Sequence, residues 1–267
     1  MLSLHTNAAS LSTQNSLGST QKALSNSMTR LGTGYRVNSA MDDAAGLQIA
    51  TRLNAQTRGM AVAQRNTQNG ISMMQTAEGA FAEVTDILLR MKDLATESAN
   101  GTSNTDDKAA LKAEFDQLSA EITNIMGNTT FGGAKLLTGG TLAASVDFQI
   151  GATSAEVYSV DVSTALGAVT APTAIGTAAN IDTIDTALKN VGTLRSAIGA
   201  AANRLDHVYN NLQNISTNVS AARGRIMDTD YATESSTMTT KQMLLQSGTA
   251  MLKQSNSMAG LVTSLLG

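Results

Sequence analysis

Residues 44–98 read AAGLQIATRLNAQTRGMAVAQRNTQNGISMMQTAEGAFAEVTDILLRMKDLATES. Leu53, Met60, Thr67, Met74, Phe81, Leu88 and Ala95 stand seven apart in it, with Thr67 the one polar member. A second column runs Ile49, Gln56, Ala63, Gly70, Ala77, Val84 and Met91, and three of its members are very small. Side chains seven apart fall on nearly one line of an α-helix, so two adjacent columns mark a coiled-coil-like face. At ~1.5 Å per residue a single helix here is about 80 Å long, more than an ordinary globular helix, which predicts a rod. The chain's only proline is Pro172, so nothing in this stretch breaks such a helix.

Downstream, Ser98-Ala99-Asn100-Gly101-Thr102 reads as a helix stop, and Thr105 and Asp106 as caps of the next helix. Leu111, Phe115, Leu118, Ile122 and Ile125 then step by four and three, an amphipathic stripe. Residues 127–140 read as a loop. Val146, Phe148 and Ile150 alternate, as do Tyr158, Val160 and Val162, which predicts a β-hairpin near 145–162. Residues 163–180 are Ala-, Thr- and Gly-rich and read as an exposed connection. From Ile181 the helical rhythm returns through Ile184, Val191, Ile198, Leu205, Leu212 and Val219.

The two ends resemble each other. Leu17, Leu24 and Leu31, with Met28, form a narrow stripe in the first segment. Met238, Leu245, Leu252 and Leu266 form one in the last, beside Leu244 and Met251. The expected fold is therefore mainly α: a discontinuous two-domain rod of long coiled-coil-like helices with a small β-hairpin region. Residues 1–41 and 225–267 pair as a terminal-helix domain. Residues 42–224 form a helical-bundle rod domain around the hairpin. A narrow stripe on a polar helix buries little area, at roughly 25 cal/mol per Å². Ordering each residue's backbone costs ~1–2 kcal/mol. The terminal helices are thus expected to be frayed in a free monomer and to order on assembly, with Leu17, Leu24, Leu31, Met238, Leu245, Leu252 and Leu266 as subunit-packing residues.

Composition narrows the chemistry. The 267 residues include no Cys, no Trp, two His and 13 Met, with 3% aromatics and a net charge of −3. No thiolate site, His-rich metal cluster or base-stacking nucleic-acid fold is available to such a chain. The acids all fall between residues 42 and 234, and both ends carry only basic charge. No charged start is followed by an apolar run of about 7–15 residues, and no stretch of about 18 apolar residues occurs. Neither a cleaved signal peptide nor a membrane span is expected, and no cofactor. Adjacent Asp42 and Asp43 at a helix start complement the helix dipole rather than form an acid–base pair, and the chain is expected not to be an enzyme.

Several motifs together resemble bacterial flagellin. They are Arg30-Leu31-Gly32-Thr33-Gly34-Tyr35-Arg36-Val37-Asn38-Ser39-Ala40 and Asp42-Asp43-Ala44-Ala45-Gly46 near the start, then Asn69-Gly70-Ile71-Ser72 and Gln75-Thr76-Ala77-Glu78-Gly79. Asn203-Arg204-Leu205-Asp206, Ala222-Arg223-Gly224-Arg225-Ile226 and Asp230-Tyr231-Ala232-Thr233-Glu234 follow near the end. The resemblance implies an extracellular subunit that polymerises with its own copies into the flagellar filament for swimming, its terminal helices forming the inner tube. It implies export unfolded through the flagellar type III apparatus without a cleaved signal, with an export chaperone on the C-terminal helix. Filament cap and hook-associated proteins are implied neighbours. Residues 138–180 stand where relatives carry a variable outer region, here reduced.

By the same resemblance Arg90, Leu94 and Glu114 match positions that engage Toll-like receptor 5, the guanidinium giving directional hydrogen bonds and Leu94 an apolar anchor. Residues 29–50 are similar to an epitope sensed by a plant receptor kinase. Asp42, Asp43 and Gly46 fit it, while Met41 stands where a lysine is usual. One alternative is a flagellin-like hook–filament junction protein, which would not polymerise alone. Another, of a different class, is the cytoplasmic helical hairpin of a chemoreceptor, which predicts a membrane span and a symmetric central turn.

Overall fold

A computed structural model of the chain describes residues 7–266; the side chains at 178, 179 and 258–266 lie outside that description. Among the described residues there are six α-helices: α1 (Ala8–Thr33), α2 (Ala44–Ala99), α3 (Thr105–Asn128), α4 (Ser163–Gly167), α5 (Ala178–Met227) and α6 (Tyr231–Leu266). Four short strands lie between α3 and α4: β1 (Thr130–Phe131), β2 (Ala134–Lys135), β3 (Val146–Gln149) and β4 (Val157–Val160). The class is mainly α with small hairpins, as the periodicity predicts. A symmetric helical turn of the chemoreceptor kind does not fit, because the middle of the chain is two antiparallel β-pairs. The chain divides into two compact units, Met1–Ala55 with Asn218–Gly267, and Gln56–Thr217. Both divisions fall within long helices, α2 and α5, rather than at their ends.

In the Gln56–Thr217 unit the heptad columns become the core. Met60, Thr67, Met74, Phe81, Leu88 and Ala95 are all buried, and so are Ala63, Gly70, Ala77, Val84 and Met91. Thr67 is tolerated there because its hydroxyl donates to the Ala63 carbonyl at 2.8 Å, leaving no unpaired donor. From Met74 onward the columns form one cluster with Phe115, Ile122 and Met126 of α3 and Ile184, Val191, Leu194, Ile198 and Ala201 of α5. Glu78 of α2 and Arg195 of α5 pair beside it at 2.8 Å.

The β3–β4 hairpin has the register its alternation implies, with Val146 opposite Val160 and Phe148 opposite Tyr158. Its seat is made by small residues of α2. A Cβ on Gly70 would stand 2.9 Å from Phe148 and 3.2 Å from Leu205, and one on Gly59 would stand 2.7 Å from the Ala152 Cβ. The small-residue column thus admits the hairpin against α2. Arg204 lies over the Tyr158 ring at 4.1 Å from its centroid, a cation–π contact that ties the hairpin to α5.

Three local expectations need correction. Residues 127–140 are not only a loop: β1 and β2 pair across Gly132 and Gly133, whose φ values of 60° and 85° suit a tight two-residue hairpin turn. The cap of α3 is Asn104, not Thr105 or Asp106. Its side chain accepts from the Asp107 amide at 2.8 Å while the Asp107 carboxylate accepts from the Asn104 amide, a reciprocal capping box. Residues 163–180 are not simply exposed. Leu166 and Val169 are 5% exposed and Pro172 is buried, and α4 gives the stretch one turn of helix.

Candidate assembly and recognition surfaces

Helices α1 and α6 run antiparallel. The Asn7 side-chain Nδ2 donates to the Ser255 carbonyl at 3.2 Å, the Ser10 hydroxyl to Asn256 at 3.1 Å, and Arg30 lies 3.6 Å from Glu234 at the other end. The less exposed positions of α1 step by three and four through Ser10, Thr13, Leu17, Thr20, Leu24, Ser27 and Leu31. Those of α6 are Glu234, Met238, Lys241, Leu245, Gly248, Leu252 and Ser255. Gly248 makes room for Leu17, since a Cβ there would be 2.9 Å from Leu17 Cδ1.

Six of the residues expected to pack between subunits lie along the chain's own helix pair. Leu17, Leu24, Leu31, Met238, Leu245 and Leu252 are half-buried or buried on the seam face of the chain's own helix pair. Leu266 lies outside the residues whose side chains are described. Two antiparallel helices share one seam, and the seven-residue columns occupy it. What the seam leaves uncovered is a set of apolar side chains on several sides of the two helices. Leu11 is 59% exposed, Met28 58%, Met243 56%, Leu244 50% and Met251 65%. Within this unit the only buried hydrophobic residues among those described are Leu24, Val37 and Ala50.

The α1–α6 pair is tied at one end by backbone. Gly34 ends α1 in the left-handed conformation, φ 76°, and its amide donates to the Arg30 carbonyl at 2.8 Å. Its carbonyl accepts from Thr229, while the Arg36 amide donates to Met227 at 2.6 Å and its guanidinium to Ile226 at 2.8 Å. The chain then turns into α2 through Asp42 and Asp43. The Asp42 carboxylate accepts from the Ser39 amide at 2.9 Å and the Asn38 amide at 3.1 Å. Asp43 caps α2 by accepting from the Gly46 amide at 2.8 Å. A Cβ on Gly46 would lie 2.3 Å from that capping carboxylate. The two acids thus hold backbone and do not converge on a pocket. Of the residues matched to the plant-receptor epitope, Asp42 is exposed, Asp43 half-buried and Gly46 buried.

Asp230 caps α6 in the same manner, accepting from the Thr233 hydroxyl at 2.7 Å and the Ala232 amide at 3.0 Å. Hydrogen bonds to the ionised form hold both acids below the ordinary aspartate range. The Ser39 and Asn38 amides do so for Asp42, and the Thr233 hydroxyl with the Ala232 amide for Asp230. A depressed folded-state pKa gives stability that is present above the unfolded value of about 3.9 and lost as pH falls through the folded value. The helical signal and melting midpoint are accordingly expected to fall on acidification below about pH 4. Asp230→Asn keeps a cap acceptor without the charge, so its midpoint should fall less steeply across the same range. An unchanged acid profile in circular-dichroism melts would show that this cap does not contribute.

The three residues matched to receptor engagement divide. Arg90 and Glu114 meet on the surface, with Nε at 2.9 Å and Nη2 at 2.6 Å from one carboxylate oxygen. Leu94 is 1% exposed and lies in the core cluster, so the apolar anchor expected there is not on the surface. Its burial has a physical cause. Met73, Ala80, Ile87 and Leu94 form a third column seven apart, and this part of α2 packs more of its circumference into the core. Leu89, 48% exposed, is the apolar side chain beside Arg90 at the surface.

His207 is an exposed helix residue. Among the described residues no group of three or more His, Cys, Asp or Glu is placed to hold a metal ion, and no helix is long and apolar enough to cross a membrane.

Known proteins agree with the motifs. The bacterial flagellin N-terminal helical region matches residues 4–141, and the bacterial flagellin C-terminal helical region matches residues 181–266. The flagellin of Halalkalibacterium halodurans is 43% identical over 247 residues, covering 90% of each chain. Flagellin C of Vibrio cholerae is 31% identical over a 377-residue alignment that spans 100% of both chains, and this chain is shorter than that relative. Among solved structures, a putative flagellar hook-associated protein from Vibrio parahaemolyticus shares the fold at a TM-score of 0.56, with 17% identity over 70% of this chain and 100% of that one. With both helical regions matched and a relative 43% identical across nine-tenths of its length, the chain belongs to the bacterial flagellin family, a family of structural proteins.

Proposed function

We propose that this chain builds the flagellar filament by adding copies of itself around the α1–α6 pair, against the apolar side chains that its own seam leaves uncovered. The observation that carries this reading is the set Leu11, Met28, Met243, Leu244 and Met251, each half or more exposed, on a unit with three buried hydrophobic residues among those described. Such a unit gains little from its own core, and copies packed around the helix pair would take these side chains out of water. Four of the seven α1 seam positions are Ser or Thr, which lowers the burial a helix pair can achieve alone. Docking of like copies supplies the missing apolar burial, so the terminal helices become fully ordered on assembly. A face that meets a different face of the next copy gives an open helical polymer rather than a closed ring.

Export follows the same physics. Helices held by so small a core unfold at low cost, which suits passage through a narrow channel, and α6 offers exposed apolar side chains to an export chaperone. For recognition by a receptor of the Toll-like receptor 5 type, Arg90 and Glu114 act as one surface feature, with Leu89 in the place that Leu94 cannot take. Salting-out of the purified chain followed by negative-stain microscopy tests the central claim. Long filaments from this chain alone are expected, and elongation of seeds made from them. A chain that never elongates seeds would fit a hook–filament junction protein instead.

A further inference from the structure

The methionines divide between the two units. In the Gln56–Thr217 unit Met60, Met73, Met74, Met91 and Met126 are all buried, at 7% exposure or less. Every described methionine more than half exposed lies in the other unit: Met28 at 58%, Met243 at 56%, Met251 at 65%, and Met41 at 96% in the turn before α2. Three of these four belong to the uncovered apolar set of α1 and α6. The chain has no cysteine, so no thiol intercepts an oxidant before the thioethers do.

We propose that Met28, Met243 and Met251 are modification sites at which a peroxide-class oxidant blocks assembly of this chain. The inference rests on the assembly reading above. In the reaction the Sδ lone pair attacks one oxygen of hydrogen peroxide. The S–O bond forms as the O–O bond breaks, the sulfur is oxidised and the peroxide reduced, and the departing oxygen takes up a proton to leave as water. The product sulfoxide is polar and chiral where the thioether was apolar and flexible. Buried between copies, its oxygen has to find a donor or remain unpaired, and an unpaired polar group in an apolar contact is costly. In the free chain the same oxygen faces water, so the modification disfavours the polymer without unfolding the subunit. Sulfoxide reduction restores the thioether, which makes the block reversible.

The test treats monomer with dilute hydrogen peroxide, then reads peptide masses and seeded elongation from the same samples. Peptides holding Met28, Met41, Met243 and Met251 are expected to gain one oxygen roughly tenfold faster than those holding the five buried methionines. Elongation should fall by about tenfold or more as the three helix sites fill, and return after treatment with methionine sulfoxide reductase. The variant M28L/M243L/M251L keeps apolar volume, and it should elongate equally before and after peroxide although Met41 is still oxidised. Treated wild-type chain, oxidised at all three sites yet elongating at the untreated rate, overturns the inference alone. So does uptake of oxygen by the buried five as fast as by the exposed set. A chain that elongates no seeds before treatment overturns the assembly reading and this inference with it.

Discussion

Leu244→Asp combined with Met251→Asp is expected to abolish filament growth while leaving the monomer as helical and as heat-stable as the wild type. The two positions are seven residues apart on one face of α6 and are 50% and 65% exposed. Surface changes of this kind usually alter stability by no more than about 0.5 kcal/mol. Assembly is penalised twice over. The apolar area of two side chains is lost from each contact, at roughly 25 cal/mol per Å². Two carboxylates must also be taken out of water without a built partner, at several kcal/mol each. A combined penalty of about 4 kcal/mol raises the concentration needed for growth about a thousandfold, and the penalty recurs at each subunit added. Exposed Gln246→Asp, elsewhere on the same turn of α6, is a control for charge alone. Sedimentation and microscopy of the variants against seeds read the outcome. Growth of the double variant at the wild-type critical concentration would remove this face from the interface.

The contrast between the seam and the uncovered face also shows what was legible in the sequence. Columns of Leu and Met seven apart identified the helices, because one residue type on one line is visible without knowing the partner. They did not reveal which column meets the chain's own helix and which faces outward. That depends on the antiparallel register set by Asn7 with Ser255 and Arg30 with Glu234, and neither contact leaves a periodic mark. Ser10 and Ser27, 7% and 4% exposed, belong to the seam but read as surface by polarity. The β3–β4 hairpin was legible because alternation has a two-residue period, whereas the Gly132-Gly133 turn has strands too short to alternate. Burial of Leu166, Val169 and Pro172 was invisible because isolated apolar residues in an Ala/Thr/Gly-rich stretch have no period at all. Leu94 was readable in principle: its column with Met73, Ala80 and Ile87 was present, and a helix with three apolar columns has its circumference largely inside.

Phe81→Ala should destabilise the Gln56–Thr217 unit by about 3–5 kcal/mol, the usual range for deleting a buried ring. Phe81 is fully buried in the middle of the long α2 column, and Phe115 of α3 is fully buried in the same cluster. The chain has four phenylalanines and no tryptophan, so few side chains of comparable volume are present to fill the space. The cluster draws its members from α2, α3, α5 and the stretch between residues 136 and 169, which limits how far any one of them can move inward without opening a gap elsewhere. Against a typical stability of about 5–15 kcal/mol the loss is large. It should appear as a fall in melting midpoint on the order of 10 °C. Phe81→Leu retains most of the volume and should recover more than half of that loss. The signature is the reverse of the Leu244 and Met251 substitutions: folding fails first, and assembly suffers because folded subunits are scarce. At temperatures well below the lowered midpoint, Phe81→Ala monomer should still elongate seeds, since its altered side chain is remote from solvent. A midpoint within about 2 °C of the wild type would mean that the heptad columns of α2 are not where this unit's stability resides.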